Sequence, residues 1–263
     1  MPDNKMISAL RPAFWQKAKL YVRTPIIVLT GKVVRKFFAI LVEAFYLPKL
    51  NAEFRDLKLG SHGLQKCIYS LEFSSVLDVG SGEGIHASLF RGRGKMVTAI
   101  DYGGSEYFKN RRGGINEIVG DFNTHNFSET FDLVWCCHVL EHQPNVGIFL
   151  KKIFDVLSIN GYLAITVPPS RNTIVGGHVS NWNAGLLIYN LILAGFNCKE
   201  CNILKYGYNI TVIVQKKGDR PELKSLSFDA GDLRLLRPQL PERRFYSNDI
   251  DDPFFGEIWR HNW

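Results

Sequence analysis

The residues with the clearest chemical capacity follow one short apolar run, where the chain reads Val76-Leu77-Asp78-Val79-Gly80-Ser81-Gly82-Glu83-Gly84. Residues 75 to 79 read as a buried strand, and Ile85 and Leu89 carry the pattern into a short helix. Glycine lacks a Cβ, so the turn can take positive φ at Gly80 and Gly82 and bring a ligand close to backbone amides at the helix start. The spacing is GxGxG, not the GxGxxG of dinucleotide loops. Asp78, two positions before the first glycine, would repel a pyrophosphate yet suits a ligand that carries an ammonium group and no phosphate. Taken alone, the loop leaves more than one nucleoside cofactor open.

Further features follow in order: Ala99-Ile100-Asp101 closing a second strand, then Gly120-Asp121-Phe122 after a third. Next come Phe131-Asp132-Leu133-Val134, Val139-Leu140-Glu141-His142, and Val156-Leu157-Ser158-Ile159-Asn160-Gly161-Tyr162-Leu163. In this order they resemble class I S-adenosylmethionine-dependent methyltransferases, in particular the group with the ubiquinone-pathway and other small-molecule enzymes, over about residues 64 to 215. Asn160-Gly161 stands where that family usually has Pro-Gly. The resemblance implies S-adenosylmethionine as cofactor and assigns its contacts. Asp78 with Gly80, Ser81 and Gly82 would hold the methionine end, with Cys137 and His138 beside it. Asp101 would accept both ribose hydroxyls, since an ionised carboxylate offers two oxygens and no donor, and Tyr102 follows it at the same site. Asp121 would accept the adenine amino group, with Phe122 donating its backbone amide or packing on the ring.

Methyl transfer is an in-line displacement whose leaving group is a neutral thioether, so the protein mainly aligns and dries the reactants. A hydroxyl acceptor must still lose a proton, and histidine is the usual base near neutral pH. Two histidines are candidates, His142 after the fourth strand and His178 in Val175-Gly176-Gly177-His178 after the fifth. Their plainer alternatives are a cap on the helix start at Pro144-Asn145 and a solvated loop residue. Asn181-Trp182-Asn183 either lines the acceptor pocket or, for Trp182, belongs to the core. Cys198-Lys199-Glu200-Cys201 is a lone CxxC that reads as part of a strand, where residues three apart face opposite ways. Without a second pair no metal site is expected. Val167-Pro168-Pro169-Ser170 reads as a loop, and Arg111-Arg112-Gly113-Gly114 as a surface turn rather than an RNA-binding tract.

These groups need a scaffold, and short apolar runs alternating with helical stretches supply the pattern of βαβ units. Strands are expected at 75 to 79, 96 to 100, 116 to 119, 132 to 137 and 162 to 167. Helices are expected at 145 to 158, with Asn160-Gly161 as the stop, and at 183 to 194, capped by Asn183 and ended at Gly195. Strands at 197 to 205 and 208 to 215, separated by Tyr206-Gly207, suggest a closing hairpin. The expected fold is a Rossmann-like, seven-stranded α/β sheet, mostly parallel with a C-terminal antiparallel hairpin and helices on both faces. The expected organisation is a basic amphipathic helical extension (1–60), a methyltransferase domain (61–217) and an aromatic-rich tail (218–263).

Charge is unevenly placed. The formal net charge of +7 resides in residues 1 to 60, which hold eleven Lys/Arg against four Asp/Glu, while the remainder holds 21 of each. A neutral remainder argues against a nucleic-acid groove. Lys32, Arg35, Lys36 and Glu43 interrupt the apolar stretch from Pro25 to Leu47, so the roughly 20 apolar residues of a spanning helix are missing. No signal-peptide cleavage pattern is evident. On a helix Val33, Val34, Phe37, Phe38, Leu41 and Phe45 share a face, which would pack on protein or rest in a membrane interface. Peripheral membrane contact through residues 11–50 is therefore an expectation, and five cysteines without a disulfide framework fit a reducing, cytoplasmic setting. The tail aromatics, from Phe245 to Trp263, are expected to wrap the domain, cover its site or bind a partner.

The acceptor is the least constrained element. The stretch from Gly177-His178 through Trp182-Asn183-Ala184-Gly185 to Ala194-Gly195-Phe196 is similar to methyltransferases associated with bacterial surface-polysaccharide biosynthesis, which implies a sugar or glycan hydroxyl. A quinone or other lipophilic small molecule is the alternative. From other classes, a non-catalytic S-adenosylmethionine-binding scaffold and a nicotinamide-dependent oxidoreductase stay open.

Overall fold

In the computed structural model, residues 46–111, 114, 116–218, 226–229, 231–241 and 254–263 are described. The amphipathic stretch up to Phe45 and the tail aromatics Phe245 and Tyr246 lie outside them. No helix among the described residues is long and apolar enough to cross a membrane.

The described chain builds one eight-stranded sheet with strand order β3-β2-β1-β4-β5-β7-β6-β8. The strands are β1 (Ser75–Val79), β2 (Met96–Asp101), β3 (Asn116–Val119), β4 (Phe131–Cys137), β5 (Leu157–Val167), β6 (Asn202–Tyr206), β7 (Asn209–Gln215) and β8 (Arg260–His261). The first five pair in parallel. β7 then runs antiparallel between β5 and β6. Central strands carry near-continuous apolar runs because both faces are covered. One apolar cluster joins Leu77, Val134, Ile165 and Val212 to the helices Val146–Val156 and Ala184–Leu193. On the other face Phe54, Leu64, Phe90, Trp135 and Ile213 form a second cluster. Burial of each large side chain contributes about 2 kcal/mol.

Four expectations need correction. The sheet has an eighth strand, because Arg260 and His261 add to β6 opposite Leu204 and Ile203. The helix ending expected at 158 stops at Val156, and Leu157 is already extended and paired with Phe131. A register shift and the left-handed Asn160 (φ 66°) then carry the chain into the main part of β5. Gly161 is required there, since a Cβ would stand 2.9 Å from the Ser158 carbonyl. The hairpin turn is Gly207-Tyr208, one residue later than expected, because Tyr206 still pairs with Asn209. Finally, Cys198 and Cys201 lie in a turn before β6, closed by the Cys201 amide donating to the Cys198 carbonyl at 3.2 Å. The turn brings the two buried thiols to the same side.

The described parts of the tail lie on this domain. Leu236, Leu240 and Ile258 are buried in the first cluster, and Trp263 packs against the second. The Gly185 amide donates to the Gly256 carbonyl at 2.8 Å. A Cβ at Gly185 would collide with Gly256, so the small residue at the start of helix Ala184–Leu193 lets the tail backbone pass.

Candidate functional site

The carboxyl ends of β1, β2, β3 and β4 open onto one cleft, where ligands bind in open α/β sheets. After β1 the chain turns through Gly80, Gly82 and Gly84, all with positive φ (71°, 50° and 72°). A Cβ on Gly80 would run into the Val139 side chain. The loop is tied to β2, since the Gly80 amide donates to the Ile100 carbonyl at 2.8 Å.

Asp101 organises the floor of the cleft. Its Oδ2 accepts from the Gly82 amide and its Oδ1 from the Gly103 amide, both at 2.9 Å. Each oxygen keeps a second lone pair, so a diol can still be bound by a carboxylate that is already fixed in place. Asp78 is buried, with Oδ2 lacking a hydrogen-bond partner. Burial, then the nearby Asp101 charge, push its carboxyl up to about 7, against a smaller lowering by the Ala87 amide. Ser81 Oγ is likewise buried without a partner.

Asp121 sits on the neighbouring loop. Its Oδ1 accepts from the Asn123 amide at 2.8 Å and from Asn123 Nδ2 at 3.2 Å, and Asn123 Nδ2 also donates to Gln143 Oε1 at 3.1 Å. Tyr102 is exposed beside Asp121. Phe122 is buried, its ring 5.2 Å from Phe149 in edge contact, so the ring belongs to the core.

Cys137 and His138 end β4 and open the turn that follows it. The Cys137 thiol is raised well above its usual range, first by burial and then by Asp78 and Glu141, which keeps it protonated and poorly nucleophilic. His138 takes a left-handed backbone (φ 58°). Its Nε2 meets Asn209 Oδ1 at 3.1 Å and its Nδ1 lies 3.2 Å from Glu141 Oε1. Asn209 Oδ1 is an acceptor here because the Gly60 amide also donates to it, at 3.1 Å.

The two histidines far apart in sequence come together. His142, in the single turn Leu140–His142, meets the Gly177 carbonyl through Nδ1 at 2.9 Å. Its ring lies 4.9 Å from that of His178, nearly perpendicular to it. It does not cap the following helix, whose first residue is Val146 after Asn145. Burial, ahead of smaller contributions from neighbouring His142 and His138, lowers the His178 pKa, against a raising by Glu141. His178 borders a surface cavity with Pro168, Pro169, Arg171, Thr173, Ile174, Val175, Asn181 and Tyr208. Trp182 is buried core, and Asn183 caps helix Ala184–Leu193 by accepting from the Leu186 amide at 2.8 Å, so neither lines this cavity.

Sequence reasoning used Glu141 as part of a motif without giving it a role, and passed over Arg171 and Tyr208. Glu141 is wholly buried and neither carboxylate oxygen has a hydrogen-bond partner. An acid inside the apolar run Val139-Leu140-Glu141 was the available signal. Arg171 stacks over the Tyr208 ring at 4.2 Å, a pairing between loops that no local pattern announces.

Residues 77–165 match the family model of a methyltransferase domain. A ubiquinone biosynthesis O-methyltransferase of Pseudomonas fluorescens (strain Pf0-1) is 30% identical over 100 residues, covering 35% of this chain and 43% of the relative. A malonyl-[acyl-carrier protein] O-methyltransferase of Calditerrivibrio nitroreducens is 23% identical over 140 residues, covering 49% and 57%. The chain thus spans about half of these relatives' length, or less. Among solved structures, the 1,6-didemethyltoxoflavin-N1-methyltransferase of Burkholderia thailandensis superposes with a TM-score of 0.51 at 17% identity, over 74% of this chain and 90% of that one. The fold is that of the class I methyltransferases. Residues 77–165 thus match a methyltransferase domain on a class I methyltransferase fold, and such a domain implies S-adenosylmethionine as cofactor.

The residues present fit this cofactor. At Gly80 the space of a side chain is taken by Val139, which packs the loop against the turn after β4. The unpartnered Asp78 Oδ2 suits an ammonium group, Asp101 a diol and Asp121 an amino group.

Proposed function

We propose that the protein transfers the methyl group of S-adenosylmethionine to a hydroxyl of a sugar or glycan, in the assembly of a surface polysaccharide. When bound, the cofactor supplies an electrophilic methyl carbon and a neutral leaving group. Asp78, Asp101 and Asp121 are the residues that would hold and orient it. The observation that carries the reading is the convergence of His142 and His178, with His178 on the wall of a surface cavity. The Gly177 carbonyl can only accept, so Nδ1 of His142 donates to it, and in the neutral ring Nε2 is the nitrogen with the lone pair. A neutral imidazole in this position can take the proton of an acceptor hydroxyl. The polar members of the cavity wall, Arg171, Thr173, Asn181 and Tyr208, suit an acceptor rich in hydroxyls.

A lipophilic acceptor such as a quinone is the second reading. It is favoured by the exposed Ile174 and Val179 on the loop that carries His178, and by the O-methyltransferase names of the relatives. The basic segment within residues 11–50 would suit work at an anionic membrane surface on either reading.

The test is transfer of labelled methyl from S-adenosylmethionine into fractionated cell extract, with identification of the labelled product. A labelled glycan supports the first reading and a labelled lipid-soluble compound the second. Tight cofactor binding with no transfer to any fraction would instead support a binding scaffold.

A further inference from the structure

We propose that Glu141, His142 and His178 form a binding site for one divalent transition-metal cation at the acceptor side of the cleft. A ligand atom from each lies within 4.8 Å of the other two, and His142 Nε2 is 3.9 Å from Glu141 Oε1. Two ligands of a common ion at about 2.1 Å lie at most about 4.2 Å apart. A small rotation of the His178 ring, which is only partly buried, closes the difference.

Three observations set this cluster apart from an ordinary group of polar side chains. First, Glu141 is wholly buried, yet neither oxygen has a hydrogen-bond partner, a condition that folded proteins rarely leave uncompensated. His138 Nδ1 at 3.2 Å forms an ion pair with Oε1 when that ring is protonated but no hydrogen bond, and Oε2 has neither. Second, His142 is held by the Gly177 carbonyl at Nδ1, which fixes the tautomer and directs the Nε2 lone pair into the cluster. Metal-ligating histidines have this arrangement almost always, with the second ring nitrogen donating to a carbonyl or carboxylate. Gly177 permits it, since its φ is 81° and a Cβ would stand 3.1 Å from His142 Nδ1. Third, the three ligands come from two separate loops, and the His178 loop also borders the surface cavity.

Two imidazoles and one carboxylate favour manganese, iron, cobalt or zinc over magnesium or calcium, which prefer all-oxygen sites. Three protein ligands leave coordination positions for an acceptor oxygen on the cavity side. A cation there would orient that hydroxyl and lower its pKa, the two imidazoles then serving as ligands in place of a base and water taking the proton. This use rests on the methyl-transfer reading above, whereas the binding itself does not. The sequence gives no metal expectation beyond the lone CxxC, which lacks a second pair, and these three ligands lie in two stretches with no shared motif.

The test uses untagged, full-length protein stripped with EDTA and titrated calorimetrically with zinc, manganese and cobalt chlorides. One equivalent of cation should bind saturably, with cobalt giving a visible absorption band from nitrogen ligation. Glu141→Gln and His178→Ala should each weaken binding by at least about tenfold, on the scale of changes around metal ligands. His178 is on a loop, so His178→Ala keeps the test available where Glu141→Gln does not fold. No saturable binding, or binding equally strong in His178→Ala, would overturn the proposal. S-adenosylmethionine titrated into the same samples separates the two readings. Cofactor binding without metal binding removes only the metal site, and metal binding without cofactor binding removes only the methyltransferase reading.

Discussion

Replacing Asp78 with Asn should stabilise the cofactor-free protein more at pH 8 than at pH 5. The Asp78 carboxyl is raised from 3.8 in the unfolded chain to about 7 in the fold, chiefly by burial and secondly by Asp101. The folded state therefore holds a proton that the unfolded chain has released. Stability from this group is complete below pH 3.8, falls as pH rises toward 7 and levels off above it. The penalty reaches about 4 kcal/mol at pH 8 and about 2 kcal/mol at pH 5, from the three-unit displacement. Asn has no such titration, and its own unsatisfied amide costs a pH-independent amount of about 1–3 kcal/mol. The gain of Asp78→Asn over the parent should therefore grow by about 2–3 kcal/mol between pH 5 and 8. For a domain of this size that is a further rise in Tm of about 5–10 °C. Thermal unfolding of both proteins at the two pH values measures it. An equal Tm difference at pH 5 and pH 8 would refute the reasoning, because it would mean that Asp78 ionises normally in the fold. The same variant should bind S-adenosylmethionine more weakly, so this position trades stability for binding.

Asp101→Ala removes the acceptor of two loop amides and the diol partner together, so S-adenosylmethionine affinity should fall by about 10- to 100-fold; unchanged affinity by calorimetry would refute the ribose assignment. Gly80→Ala should lower Tm by several degrees, since it adds the left-handed penalty of about 1–2 kcal/mol to a collision with Val139, and Gly80→Ala with Val139→Ala should recover part of the loss. His178→Ala should reduce methyl transfer by about 100-fold or more while cofactor affinity stays within about twofold; full activity would remove His178 from the acceptor chemistry. Asn209→Ala frees both the Gly60 amide and His138, and should lower stability by about 1–3 kcal/mol in denaturant unfolding.

The parts of the molecule legible in the sequence are those that local chemistry dictates. The strand and turn from Ser75 to Gly84, the helix Val146–Val156 and the Asn183 cap follow from periodicity, glycine and side-chain acceptors within a few residues. The β6–β7 hairpin was visible as two apolar runs, although its turn lay one residue later. What local pattern did not carry was set by distant partners. β8 is two residues long and exists because β6 offers a free edge. The Cys198–Cys201 turn, the inward ring of Phe122 and the left-handed backbone of His138 each depend on packing around them. In the site, Asp78 and Asp101 stood out because an acid beside a glycine turn is chemically exposed in the sequence. Glu141 did not, since burial turns an ordinary motif residue into an unpartnered carboxylate only once the sheet has closed. His142 and His178 were separate candidates in the sequence, and the Gly177 carbonyl is what brings them into one cluster.

The central claim, an S-adenosylmethionine-dependent methyltransferase, is tested most directly by calorimetric titration of the full-length protein with S-adenosylmethionine and, separately, with NAD. The cleft predicts one S-adenosylmethionine site per chain, weakened in Asp101→Ala, and no saturable NAD binding, since the loop spacing and the Asp78 carboxylate both disfavour a pyrophosphate. NAD binding without S-adenosylmethionine binding would contradict it.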